Sequence, residues 1–347
     1  MASTTHNNGL SPFTQQLLVA VLALIWLVFS IYLLREFATI LKPLLIAGFL
    51  SYLIIPTHKW LVARGINRPL AAVALIAIVV GLFISLGMLL YSNAETLLLK
   101  WPVYQAQWKA KTDSLLVMLP DVVKDHLLEL AVDSRMANSA LQSFLGTFFN
   151  FLTVTVIVVL YLCFLLAERA SFSRRLTRAF GPEKSERIME VVASISHAIS
   201  EYIRVKTLMS LLSGTCTTLI LLAFGVDFPF TWGTLAFLLN YIPYLGSIVA
   251  TVLPILLAFV QLEALWQGFA IAVLLVAIQQ LIGMVIEPHI AGAKLGVSPL
   301  LIILSLAFWG VVWGIVGMLL AVPLLMVIKI VLANIPATKP VAALMEN

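Results

Sequence analysis

Between Thr207 and Asn334 only six acidic, basic or histidine side chains occur: Asp227, Glu263, Glu287, His289, Lys294 and Lys329. A carboxylate at the centre of a bilayer costs on the order of 3 kcal/mol or more, so one kept beside an apolar run has a partner or a task. Glu287 follows the uncharged run Gly268–Ile286 and precedes Pro288. It reads either as an interfacial cap on that run or as a proton- or substrate-responsive carboxylate, with Lys294 or His289 as partner. Upstream, Asn240-Tyr241-Ile-Pro243-Tyr244-Leu-Gly246 sets a helix breaker among an amide and two phenols. Pro243 has no N–H to donate, and its ring meets the carbonyl of Leu239. The freed carbonyls, amide and phenols suit an uncharged hydroxylated solute or a cation. They also suit the duller task of covering broken backbone, which lipid cannot do.

Other chemistries find no support. There is no Gly-x4-Gly-Lys-Ser/Thr phosphate loop, no His-Glu-x-x-His and no Gly-x-Ser-x-Gly. The chain is therefore read as a non-enzyme without cofactor. Cys163 and Cys216 both sit inside apolar runs, which gives neither a disulfide framework nor a metal site. The formal charge of +5 comes without basic patches interleaved with aromatics, so nucleic acid is not an expected partner.

The elements that must position these groups are membrane spans. Charged residues make up 11% of the chain and hydrophobic ones 62%. Leu17–Leu34, Leu70–Tyr91, Leu145–Ala167, Thr207–Phe224 and Gly268–Ile286 carry no charge, and each suits the ~17–25 residues of a bilayer-crossing helix. Phe37–Ile55 adds a span containing Lys42-Pro43. The fold class is an all-α polytopic membrane protein with about eight membrane elements. Its layout is three N-terminal spans in 1–91, an extracytoplasmic amphipathic segment over 92–144 and a fourth span over 145–167. A basic amphipathic cytoplasmic segment over 168–206 follows, then a transport-core membrane region over 207–334 and a tail over 335–347.

Orientation follows from the loops. Segment 56–69 carries Lys59, Arg64 and Arg68 with no acid, and 168–206 carries eight Lys/Arg, which makes both cytoplasmic. Segment 92–144, with five basic and six acidic residues, falls outside by parity, and both termini fall inside. The spacing of Leu97, Trp101, Tyr104 and Trp108 predicts two or three amphipathic helices there. After Gly181-Pro182 a further amphipathic helix runs through Arg204-Val-Lys206 into the next span. It is either a surface helix or a lever in which Arg204 and Lys206 couple the cytoplasm to the spans.

Two segments have lengths that suit neither one span nor two. Pro229–Val260 has 32 residues and Pro299–Asn334 has 36. Straight helices of that size would measure about 48 and 54 Å against a hydrocarbon core of about 30 Å. Broken, re-entrant hairpins fit better, with breaks at Asn240–Gly246 and Gly310-Val-Val-Trp-Gly314-Ile-Val-Gly317. Parity then makes the first dip from outside and the second from the cytoplasm, as opposed broken helices do around a midplane site. Gly310, Gly314 and Gly317 lie at small-residue spacing suited to close helix packing.

Taken together, Tyr202-Ile-Arg-Val-Lys-Thr207, Asn240–Gly246, Ile286-Glu-Pro-His-Ile-Ala-Gly292, Gly296-Val-Ser-Pro-Leu300 and Phe308–Pro323 resemble the autoinducer-2 exporter family of bacterial membrane proteins. The resemblance implies about eight membrane elements, cytoplasmic termini, a homo-oligomer that is a pentamer, and export of small solutes, with the furanone signal autoinducer-2 as the named substrate. Some members look like Na⁺(Li⁺)/H⁺ antiporters. Family members often carry Asn three residues before the Glu of the Glu-Pro pair; here that residue is Met284.

The resulting expectation is a transporter of the bacterial inner membrane that exports a small polar metabolite or signal. Asn240, Tyr241, Pro243, Tyr244 and Gly246 form one half of its pathway, and Glu287, Pro288, Gly292 and Lys294 the other. A cation/proton antiporter is the first alternative. A membrane scaffold that binds partners through 92–144 is the second.

Overall fold

The computed structural model describes residues 12–116, 134–291 and 296–346, and within them every regular element is helical. Helices α1 (Pro12–Glu36), α2 (Ala38–Ala63), α3 (Arg68–Leu116), α4 (Ser134–Phe180) and α5 (Pro182–Ala223) come first. A broken pair follows, α6 (Pro229–Leu239) and α7 (Leu245–Gln261). Next, α8 (Leu265–Gln280) passes through a π-helical turn, Leu281–Ile286, into α9 (Glu287–Ala291). A second broken pair, α10 (Pro299–Trp313) and α11 (Ile315–Asn334), precedes the short α12 (Lys339–Leu344).

Six helices are long and apolar enough to cross a membrane: α1, α2, α3, α5, α8 with its π turn, and α11. Helix α4 makes a seventh, bent by 64° between Thr153–Glu168 and Ser171–Phe180. Helices α6, α7 and α10 have 11, 17 and 15 residues. At 1.5 Å per residue they measure about 17, 26 and 23 Å, short of a full hydrocarbon core. Five spans, a broken pair, α8 and a second broken pair make the eight membrane elements expected. Apolar side chains such as Trp26, Val73, Phe164 and Phe269 stand exposed on the outer faces, where lipid is the solvent.

Segment 92–116 departs from expectation. It is the unbroken continuation of α3, with Pro102 inside the helix, rather than an amphipathic helix separate from the third span. The apolar stripe through Trp101 and Tyr104 keeps the phase of the span before it, so one helix serves both solvents. Residues 117–133 lie outside the described residues. Helix α2 likewise runs past Ile55 through Pro56 to Ala63, and the Arg64 guanidinium stacks 4.0 Å over Trp60.

Buried apolar clusters hold the spans together. Ala47 and Ile54 of α2 pack on Leu75 of α3 and on Val158 and Leu162 of α4. Helices α5 and α8 run antiparallel: Val205 and Met209 meet Ile282, while Leu221 meets Ile271 and Leu275. Helix α6 then lies against α5 with almost no side chain between them. A Cβ on Gly214 would come within 2.6 Å of the Gly233 carbonyl oxygen, and one on Gly233 would overlap Thr218 Oγ1. Small residues permit that approach, and dispersion between the backbones stabilises it.

The three glycines read as packing residues divide in role. A Cβ on Gly317 would overlap the Trp309 carbonyl, so this residue closes α10 on α11. Gly314 is the turn itself, at φ 68° and ψ −144°, a conformation that favours glycine. Gly310 meets only the flexible side chain of Met318.

Candidate functional site

The site is built on α5. Tyr202, Lys206, Ser210, Ser213 and Thr217 recur at steps of three and four, which at 100° per residue places them within a stripe about 80° wide. Lys206, Ser210, Ser213 and Thr217 are each 5% exposed or less. Four of the nine buried polar or charged side chains among the described residues lie on this stripe, which concentrates hydrogen-bonding capacity along one line.

At the Lys206 end three elements converge. Lys206 Nζ donates to Glu287 Oε1 at 2.7 Å, and the two side chains are 7% and 24% exposed. The break of the first hairpin lands one turn further along α5. There Tyr241 OH and Thr207 Oγ1 share a hydrogen bond of 2.7 Å, and Asn240 Nδ2 donates to Ser210 Oγ at 3.1 Å. Tyr202 OH is buried beside this cluster with no hydrogen-bond partner. Local chain chemistry places Glu287. Pro288 lacks an N–H, so the carbonyl one turn before it, on Met284, loses its helical donor. The π turn Leu281–Ile286 sits at that vacancy.

The hairpins point in opposite directions and pass each other. The ends of the first are tied together: the Asp227 N–H donates to Gln261 Oε1 at 2.8 Å, and Gln261 Nε2 donates to the Gly225 carbonyl at 2.9 Å. They sit at the Leu221 end of α5, where Val226 and Ala258 pack. The tip reaches down to Thr207, and Ile242 in it packs on Leu306 and Ala321, midway along the second hairpin. The second hairpin is closed at its ends by Lys329 Nζ donating to the Gly296 carbonyl at 2.6 Å. Its tip touches the α1–α2 junction, with Trp313 Nε1 donating to the Leu34 carbonyl at 2.8 Å and Arg35 to the Val311 carbonyl at 2.9 Å.

A clamp holds the mouth of the first hairpin. Lys100 Nζ and Tyr104 OH, one turn apart on α3, both donate to Asp227 Oδ2, at 2.7 and 2.6 Å. Lys111, further along α3, donates to the carbonyls of Phe259 (2.8 Å), Val260 (2.9 Å) and Leu262. An ammonium there complements the partial negative charge at the C-terminus of α7. Partial burial alone pushes the Asp227 carboxyl up, but the hydrogen bonds from Lys100 and Tyr104 and the Lys100 charge outweigh it. Its net pKa lies below the ordinary carboxylate value.

The residues singled out in the sequence fall out as follows. Asn240 and Tyr241 join the buried cluster. Pro243 lies in the break, and α6 ends at Leu239, the residue whose carbonyl the proline ring excludes. Gly246 seals the hairpin, since a Cβ there would overlap the Leu239 carbonyl. Tyr244, at φ 63° and 56% exposed, stays out of the cluster. Glu287 pairs with Lys206 and not with His289, whose Nδ1 lies 2.7 Å from the Val285 carbonyl of its own helix. Pro288 is the second residue of α9; Gly292 and Lys294 lie outside the described residues. Lys206, expected to act in coupling, is the buried partner of the carboxylate, whereas Arg204 is exposed. Met284 is 72% exposed, so the missing family Asn is not replaced from that position. Thr207, Ser210, Ser213, Thr217 and Gln279 escaped the sequence reading. Their signal was there as polar residues at helical period within an uncharged span.

Comparison with known proteins gives a family. Residues 17–337 match the profile described as AI-2E family transporter. The AI-2 transport protein TqsA of Escherichia coli K12 is 32% identical over 324 residues, covering 90% of this chain and 91% of that protein. A Haemophilus influenzae relative is 30% identical over 89% of this chain and 91% of its own length. One from Borreliella burgdorferi is 28% identical over 95% and 90%. Both are named as transport proteins.

Proposed function

This chain belongs to the AI-2E family of membrane transporters, and on that premise we propose that it exports a small, polar, uncharged solute of the autoinducer-2 kind across the bacterial inner membrane. The observation that carries the reading is the buried meeting of α5, the first hairpin's break and α9. There one ion pair and four hydroxyl or amide groups converge inside an otherwise apolar bundle. Asn240, Tyr241, Thr207 and Ser210 supply neutral donors and acceptors to a hydroxylated solute. Glu287 and Lys206 stand at the cytoplasmic end as a paired gate. The pair has no net charge, which favours a neutral solute over a bare cation.

Orientation belongs to the same proposal: both termini inside, the Lys100–Asp227 clamp outside, and the family's pentamer as the assembled form. The test is uptake of labelled autoinducer-2 into inside-out vesicles with and without the protein, under an imposed proton gradient. Saturable uptake that requires the protein is expected. Collapse of a pH gradient by sodium, with no uptake, would replace export by cation/proton antiport. Absence of any flux from folded protein would leave the scaffold reading, with loss of function on deleting 92–144 alone.

A further inference from the structure

Half the buried side-chain polar atoms left without a partner among the described residues belong to the α5 stripe or to its partner on α8. The six are Trp101 Nε1, Gln107 Oε1, Tyr202 OH, Thr217 Oγ1, Thr231 Oγ1 and Gln279 Oε1. Two of them lie on facing helices. Gln279 Nε2 donates to Ser213 Oγ at 2.8 Å, while Gln279 Oε1 has no partner. Thr217 lies one turn beyond Ser213 on the same face and is 1% exposed. The antiparallel register of α5 and α8, with Ser213 beside Gln279 and Leu221 beside Ile271 and Leu275, sets Thr217 about one turn from Gln279 along α8.

The Thr217 hydroxyl has also forgone the easiest bond available to it. A helical threonine usually satisfies its hydroxyl on the carbonyl four residues back. Thr96, Thr177, Thr218 and Thr251 all do so, at 2.8, 3.0, 2.9 and 2.7 Å. Thr217, 1% exposed, does not. Buried polar groups are as a rule paired, so an orphan hydroxyl and an orphan amide oxygen on facing helices, about one turn apart and joined through Ser213, mark a place where a ligand's polar atoms complete the set.

We propose that Ser213, Thr217 and Gln279 form a binding station for a neutral, multiply hydroxylated solute, separate from the Lys206–Glu287 cluster and nearer the outer end of α5. It rests on the transport reading above and extends the same path. The chemistry selects the class. Gln279 Oε1 accepts from a solute hydroxyl, and the Thr217 hydroxyl donates to a solute oxygen. No charged residue lies on α5 beyond Lys206 or anywhere on α8, so the station offers no counter-charge to an ion. A carboxylate would face the amide oxygen, and a bare cation would find no anionic ligand.

The test is thermal stabilisation of purified protein by autoinducer-2 or ribose as neutral probes, and by sodium chloride or lactate as charged ones. Thr217→Val keeps the shape and removes the hydroxyl; Thr217→Ser keeps the hydroxyl. Thr251→Val, which removes a buried hydroxyl bonded to its own helix, is the control. The expected result is stabilisation by a neutral probe that Thr217→Val weakens at least tenfold in apparent affinity, while Thr217→Ser and Thr251→Val retain it. Without probe, Thr217→Val should melt at or above the wild-type temperature, since it removes an unsatisfied group. Equal response of wild type and Thr217→Val would overturn the station and leave export standing. Response to sodium or lactate alone, or to no probe, would overturn it as well. Vesicle uptake by the wild type tests the transport reading separately.

Discussion

Lys206 and Glu287 stand 81 residues apart in the chain and meet at 2.7 Å with the lysine almost wholly enclosed. For such a pair the mutual attraction roughly offsets desolvation, but removing one partner strands the other charge and costs about 3–5 kcal/mol. Lys206→Met and Glu287→Gln are each expected to lower the melting temperature and to cut uptake at least tenfold. The double variant Lys206→Met/Glu287→Met should recover most of the stability but not the uptake, as melting curves and vesicle assays of all three would show. If Glu287 carries the coupled proton, Glu287→Gln also flattens the pH profile of whatever uptake remains; an unchanged profile removes it from that role. Asp227 gives a second test at this scale. Its folded pKa is lowered, so its stabilising contribution is complete above the unfolded carboxylate value and is lost as pH falls through the folded one. Both partners are partly exposed, at 46% for Lys100 and 29% for Asp227, which limits the pair to about 1 kcal/mol. Asp227→Asn should lower stability modestly at neutral pH and leave it less dependent on pH below 5, measured by thermal melts across the acid range.

At the scale of elements, each hairpin depends on one glycine beyond its break. Gly246 lies against the Leu239 carbonyl and Gly317 against the Trp309 carbonyl, and in both cases the obstacle is backbone, which cannot swing away. Gly246→Ala and Gly317→Ala are expected to cost about 1–3 kcal/mol each through overpacking. Gly310→Ala, where the neighbour is the flexible Met318 side chain, should cost far less. Melting temperatures of the three variants side by side check the ranking; equal losses would mean that the hairpins are not packed this closely. The clamp from α3 belongs to this scale too. One continuous helix carries a membrane-crossing half and a half that extends beyond it, so Lys100, Tyr104 and Lys111 reach the hairpin mouth from a rigid support.

For the whole molecule, the arrangement of ends and tips predicts sidedness. The loop after α7 and the chain after α11 belong to opposed hairpins, so they face opposite solvents. With Cys163 and Cys216 first replaced, a cysteine at Glu263 should react with an impermeant maleimide from outside. One at Ala337 should react only from the cytoplasmic side. Reaction of both from one side would contradict the opposed hairpins. Between them the first hairpin's tip meets the second hairpin midway along its length, with Ile242 against Leu306 and Ala321, and this crossing sets the Asn240–Tyr241 break beside α5.

Some of this could be read from residue order alone because a bilayer constrains locally. Uncharged runs of span length, the basic loops, the two segments of intermediate length and the helix break before Pro243 all follow from solvation and sterics within a few turns of chain. Thus the eight membrane elements and the end of α6 at Leu239 were legible. The partner of Glu287 was not, because sequence proximity pointed to Lys294 or His289, whereas the antiparallel packing of α5 on α8 and α9 brings Lys206. Nor was the continuity of α3 through 92–116, since a change of solvent along a helix looks in sequence like a change of element. The Ser210, Ser213 and Thr217 stripe stayed hidden for a related reason. Small hydroxyls in a span usually satisfy themselves on their own backbone, and only the packing of α6, α8 and α11 around α5 decides which of them do not.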